Sequence, residues 1–172
     1  RAFIIKQFIS LAHACFEMNN FNTLLEITAG LNLVPIRRLR KTWRQVPKRF
    51  TDLLDELEDI MDHHQNYKRY RRTLRDCGSP CLPYLGVIRR DLTMIHIGNN
   101  NLVQRNYLNF EKGKLLWDVL KEVIHLQQTP FRFHKNPPVF NALNNLFVFD
   151  DDTLYKYSLE WEPTDAPLFD DD

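Results

Sequence analysis

The chain has 172 residues, 44% of them hydrophobic and 26% charged, with a formal net charge of +1. That is enough apolar material for one core of domain size, and too little net charge for whole-chain attraction to nucleic acid or a membrane surface. Cys15, Cys77 and Cys81 are an odd number of thiols, which fits a reduced cytosolic protein better than a disulfide scaffold. No run approaches the about 20 apolar residues of a membrane span, and no signal-peptide pattern opens the chain.

Helical periodicity dominates from the start. Ile4, Ile5, Phe8, Leu11, Ala12 and Cys15 recur at three- and four-residue spacing and predict a buried helix over Phe3 to Phe16. Arg1 opens directly onto this helix without an initiating Met or a capping residue, so a piece of something longer is expected. Asn19-Asn20 caps a second helix carrying Leu24, Leu25, Ile27 and Leu31, with Gly30 and Pro35 expected to end it. A short basic helical segment follows, turning Ile36, Leu39 and Trp43 inward.

Pro47 suits a first helical turn, after which Phe50, Leu53, Leu54, Leu57 and Met61 form a stripe opposite Asp52, Asp55, Glu56, Asp59 and Asp62. The acidic side reads as a solvated face. Asn66 is expected to begin a helix with Tyr67, Tyr70 and Leu74 in register, broken at Gly78-Ser79-Pro80.

Pro83 to Ile97 is predicted as a helix that is apolar on opposite sides. Leu85, Ile88, Leu92 and Ile95 share one face, while Gly86, Arg90, Thr93 and Ile97 share the other. One core cannot bury both, so the outer face is either covered by a second layer or kept for a partner. Gly98 and Asn99-Asn100-Asn101 end this helix. A long helix from Asn106 to Gln127, with Gly113, Leu116, Trp117, Leu120, Val123 and Ile124 as its inner stripe, then pairs with it as an antiparallel αα-hairpin across a short turn. Short helical segments follow at Val139 to Leu146 and before Pro163. The fold class is all-α: an irregular helical domain over 1–163 with a protruding hairpin over about 83–127, then an acidic tail, 164–172.

Direct chemistry has few candidates. The chain has no GxxxxGK[ST], GxGxxG, HExxH or pair of CxxC motifs. His63-His64 on a regular helix would point about 100° apart with no carboxylate at matching spacing, so no metal site is expected. Cys77 and Cys81 read as one loop thiol and one buried thiol. The basic residues from Arg37 to Arg49 and from Lys68 to Arg75 lack interleaved exposed aromatics. Pairing with the acidic helix or with an acidic protein partner is favoured over nucleic acid.

The words Arg1-Ala2-Phe3-Ile4-Ile5, Asn19-Asn20-Phe21-Asn22, Pro35-Ile36-Arg37-Arg38-Leu39, Lys41-Thr42-Trp43, Asn66-Tyr67, Pro80-Cys81-Leu82-Pro83-Tyr84-Leu85-Gly86, Asp91-Leu92-Thr93, Gly98-Asn99 and Leu108-Asn109-Phe110-Glu111-Lys112 stand in one order. That order resembles the catalytic domain of Ras guanine-nucleotide exchange factors, the RasGEF domain, and the resemblance runs to Ser158-Leu159-Glu160-Trp161-Glu162-Pro163. It implies an all-helical domain whose hairpin opens the first switch region of a small GTPase of Ras or Rap type while the body grips the second. Leu25, Asn32, Arg37, Tyr67, Tyr84 and Arg90 would match the switch-binding surface, and Thr93 and Ile97 would point toward the partner's magnesium and phosphate site.

Such a protein regulates a GTPase without covalent chemistry, and it needs no cofactor and no metal of its own. The resemblance also implies a cytoplasmic protein, with flanking regulatory domains, recruited to the inner face of the membrane through its partner or those domains rather than by direct insertion. Three departures stand out. Many family members carry a glutamate where this chain has Ile97, and Gly113 and Leu115 interrupt the basic run usual after Asn109-Phe110. The family's opening helices do not stand before Arg1 in this sequence; if they are missing from the molecule itself, the first helix is expected to expose apolar surface. A non-catalytic GTPase-binding or scaffold module of the same descent is the alternative.

Overall fold

The computed structural model describes residues 1–163, and the acidic segment 164–172 lies outside the described residues. The helices run α1 (Ala2–Glu17), α2 (Phe21–Leu31), α3 (Val34–Arg37), α4 (Arg40–Arg44), α5 (Lys48–Ile60), α6 (His64–Asp76), α7 (Leu85–Gly98), α8 (Phe110–Gln127), α9 (Pro137–Asn144) and α10 (Asp151–Trp161). A two-stranded antiparallel ribbon, β1 (Leu102–Val103) and β2 (Tyr107–Leu108), joins α7 to α8. The fold is all-α apart from this ribbon.

The body is built on α1, α2 and α5. Asn20 caps α2 by accepting from the Thr23 amide at 3.1 Å, and Asn19 before it takes positive φ (56°), which asparagine tolerates. The turn is anchored from outside, because Leu82 N donates to Asn19 O and Phe21 N to Leu82 O, both at 2.9 Å. The Pro80–Leu82 segment that leads into α7 is thereby fixed to the α1–α2 corner. Ala12, Phe21, Leu24, Leu57, Tyr70 and Val87 share one buried cluster, and Ile5, Ile9, Leu31, Val46 and Leu54 form a second. Cys15 and Cys81 are buried and, like Cys77, free; burial pushes the Cys81 thiol up to about 12.

Several expected details differ. The inward side of α1 is Ile5, Ile9, Ala12 and Cys15, and Phe3, Ile4, Phe8 and Leu11 lie exposed. Gly30 lies within α2, which ends at Leu31 with Asn32 right-handed at the cap. No described glycine takes positive φ. The greatest departure is at α6, where Gln65, Asn66 and Tyr67 are left-handed (φ 50°, 59° and 57°) before the right-handed helix continues. Single left-handed residues other than glycine cost roughly 1–2 kcal/mol each, so three in succession must be held by tertiary contacts.

The last helix is latched to the basic segment. Glu162 accepts from the amides of Lys41 (3.0 Å) and Thr42 (2.9 Å) and from the Thr42 hydroxyl (2.7 Å), so its carboxylate occupies the N-terminal end of α4. Arg38 Nη1 donates to Ser158 O at 2.6 Å, and Arg1 stacks over the Trp161 ring. Burial alone would raise the Glu162 carboxyl, but these hydrogen bonds hold it below its ordinary value. A lowered folded pKa stabilises above the unfolded value, and the contribution is lost as pH falls through the folded one. The stability advantage of the wild type over Glu162→Gln in urea melts should therefore be full at about pH 6 and shrink toward about pH 3; a pH-independent difference would contradict this role.

Candidate functional site

The helices α7 and α8 stand out because each buries so little. Val87, near the start of α7, reaches the body's core and Leu126, near the end of α8, packs against it. At the far end Lys112 Nζ, in the first turn of α8, donates to His96 O (2.9 Å), Asn99 O (2.8 Å) and Asn101 Oδ1 (2.7 Å). The start of α8 thus lies against the end of α7, so the pair is antiparallel, with its tip away from the core.

Lys112 is 6% exposed, yet all three ammonium donors are satisfied, and the charge lies against the carbonyl end of α7 where a cation is favoured. Asn109 completes the joint by accepting from Lys112 N at 3.1 Å and donating to Asn100 O at 2.9 Å.

The joint explains two corrections. The connection is a ribbon and a single 3-10 turn (Gln104–Asn106) rather than a short turn, so α8 begins at Phe110. Its inner seam is Lys112, Leu116, Val119, Val123 and Leu126, a four–three repeat, whereas Gly113, Trp117, Leu120 and Ile124 are exposed. On α7 the expected start at Pro83 gives way to Leu85. Val87 then faces the core, Ile88, Leu92 and Ile95 are half-buried, and Leu85 is 55% exposed.

The outer side of α7 is open. Arg90, Thr93 and Ile97 are all exposed, Ile97 at 75%, and Thr93 Oγ1 donates to Arg89 O at 2.8 Å. Gly86, Arg89, Arg90, Thr93 and Met94 line a shallow concavity of about 300 Å³. At the foot of this face Tyr84 is half-buried, and its ring lies 6.1 Å from that of Tyr67.

Tyr70 supports both: it packs edge-on at 6.4 Å from Tyr67, and its hydroxyl accepts from the Tyr84 amide at 2.8 Å. Its own phenol is pushed well above the ordinary value by burial, against the lowering effect of that amide. Arg71 then ties the foot to the hairpin. Its guanidinium makes two 2.7 Å hydrogen bonds to the Asp91 carboxylate on α7, and Nε donates to Asn66 O at 2.8 Å in the left-handed turn. The Asp91 hydrogen bonds, chief among the causes, raise the Arg71 guanidinium above its ordinary value.

Asn32 and Arg37 form a separate group. Arg37 Nη2 donates to Glu58 Oε1 at 2.6 Å, Arg37 Nε to Asn32 Oδ1 at 2.5 Å, and Asn32 Nδ2 to Glu58 Oε1 at 2.9 Å. Leu25 is half-buried against the core, seven residues before Asn32 and so on the same side of α2. Arg69 also pairs with Asp59, so internal pairing of basic residues with the acidic helix is real at two positions. Lys112, Arg71, Asp91 and Glu58 were not legible as parts of a site. For Lys112 the signal available was its place three residues after the capping Asn109.

Fold and surface together define a helical domain that presents a braced hairpin, with an outer face its own core does not need. The chain belongs to the RasGEF family: residues 1–114 match the RasGEF domain model. It is similar to Ras-specific guanine nucleotide-releasing factor 2 of Danio rerio, with 38% identity over 95% of this chain and 13% of the relative. It is also similar to Ras guanine nucleotide exchange factor M of Dictyostelium discoideum (36%, over 98% and 18%) and to Ras-specific guanine nucleotide-releasing factor 1 of Homo sapiens (34%, over 95% and 13%). The chain spans less than a fifth of the length of each of these relatives.

Two substitutions test the bracing. Lys112→Met should lower stability by about 2 kcal/mol, the worth of a charged hydrogen bond, and speed amide exchange selectively over residues 96–109; uniform exchange changes would deny it a local role. A Cβ on Gly86 would collide with the Tyr84 ring. Gly86→Ala should therefore move the Tyr84 ring resonances while leaving the melting temperature level or slightly higher, since alanine gains up to about 1 kcal/mol of helix propensity.

Proposed function

We propose that residues 1–163 form an exchange module that speeds GDP release from a Ras-family small GTPase. The observation that carries this reading is the open outer face of α7, where Arg90, Thr93 and Ile97 lie exposed on a helix clamped at its tip by Lys112 and at its base by Arg71. Family membership, and relatives whose names describe nucleotide release or exchange, support it.

A bound guanine nucleotide depends on Mg²⁺ and on the phosphate loop of the GTPase. The hairpin acts as a wedge: Thr93 and Ile97 fill the space beside the metal site, and Arg90 contacts the first switch region. With Ile97 in place of an acid, exclusion at that point is steric and apolar. Tyr67, Tyr84, Leu25, Asn32 and Arg37 hold the switches against the body and the foot of the hairpin. Because coupling is reciprocal, nucleotide weakens the module's grip as much as the module weakens the nucleotide's, and incoming GTP releases the complex. Moving the equilibrium from 1:99 to 99:1 takes about 5.5 kcal/mol of differential binding, within reach of an interface of order 2,000 Å². The factor is not consumed and makes no bond.

The test is release of a fluorescent GDP analogue from a panel of Ras-type and Rap-type GTPases. Acceleration is expected with at least one, and Ile97→Asp should slow it roughly tenfold, about 1.4 kcal/mol, with an unchanged melting temperature. A flat trace with every GTPase, from chain shown to be folded, would leave a non-catalytic binding module. An unaltered rate for the Ile97 variant would mean that this face is not the working surface.

A further inference from the structure

The entry to α6 holds three side chains close together that successive positions of a regular helix would splay apart. Asp62 and His63 precede the helix, and Gln65 to Tyr67 turn the chain left-handed straight after His64. The two imidazole rings lie 4.6 Å apart. Asp62 Oδ1 is 2.7 Å from His64 Nδ1 and 3.5 Å from His63 Nδ1. One ligand atom from each of the three residues lies within 4.8 Å of the others.

We propose that Asp62, His63 and His64 form a binding site for one Zn²⁺ ion. Two imidazoles and a carboxylate are a donor set that zinc takes in open three-ligand sites, with bonds of about 2.0–2.2 Å and water in the remaining position. Bonds of that length put ligand atoms three to four ångströms apart, so modest side-chain rotation closes this trio. Hard Mg²⁺ prefers oxygen ligands and keeps its waters, so millimolar Mg²⁺ does not compete at a site with two nitrogen donors. The ion bridges the residues that lead into the left-handed turn and so fixes the entry to Tyr67. The site rests on the geometry of residues 62–64 and is independent of the exchange reading.

The experiment is calorimetric titration of Zn²⁺ into metal-free chain in Mg²⁺ buffer. One ion per chain is expected, with His63→Ala, His64→Ala and Asp62→Asn each weakening binding by about tenfold or more, and Cys77→Ser leaving it unchanged. All three residues are on the surface, and unchanged helical circular dichroism of the variants shows that folding is not the cause. Amide exchange over residues 63–67 should slow when Zn²⁺ is added. The proposal is overturned by absence of saturable binding, by binding that survives the histidine substitutions, by loss of binding in Cys77→Ser, or by binding that leaves exchange at 63–67 unaltered.

Discussion

The closure of the hairpin depends on one buried ammonium group. Lys112 satisfies His96 O, Asn99 O and Asn101 Oδ1 at once, which closes the carbonyl end of α7 against the start of α8. Hydrogen bonds to a charged donor contribute about 1.5–3 kcal/mol, and the cation also meets the negative end of a helix. The apolar alternative is weak, because α7 buries Val87 and α8 buries little besides Lys112 itself. A projection that cannot sink hydrophobic surface into a core is oriented instead by a few directional contacts. These are arranged at both ends: Lys112 at the tip, and Arg71 with the Tyr84 amide at the base.

Periodicity was sufficient for the helical class, for most of the helices and for the doubled apolar character of α7. It found the outer face because Gly86, Arg90, Thr93 and Ile97 repeat at helical spacing whatever the neighbours do. It misplaced the inner faces of α1 and α8 for a common reason. Each of these helices carries more apolar residues than the core takes up, so the centre of the apolar stripe is not the centre of the buried side. In α8 the true seam is headed by a lysine, a residue almost never buried unless paired, and its three acceptors come from the end of α7 and the Asn99–Asn101 stretch that follows it. The break at Gln65 to Tyr67 was equally hidden. Asparagine tolerates left-handed backbone, but glutamine and tyrosine give no such local signal, and the contacts that stabilise the turn come from Arg71, Tyr70 and Tyr84.

That turn connects the stability of the fold to its proposed working surface. Strained backbone persists where surrounding structure over-determines it, and it gathers at sites where a side chain must be aimed. Here the strain aims Tyr67 at Tyr84, and Arg71 holds the turn and α7 in one grip through Asn66 O and the Asp91 carboxylate. Movement of the hairpin relative to the body would have to break a bidentate ion pair that is less than a third exposed at either partner, which costs more than separating a surface pair. The base of the hairpin is therefore rigid, as the proposed exchange mechanism requires: a side chain that displaces another protein's cation does so only to the extent that its own scaffold resists being pushed back.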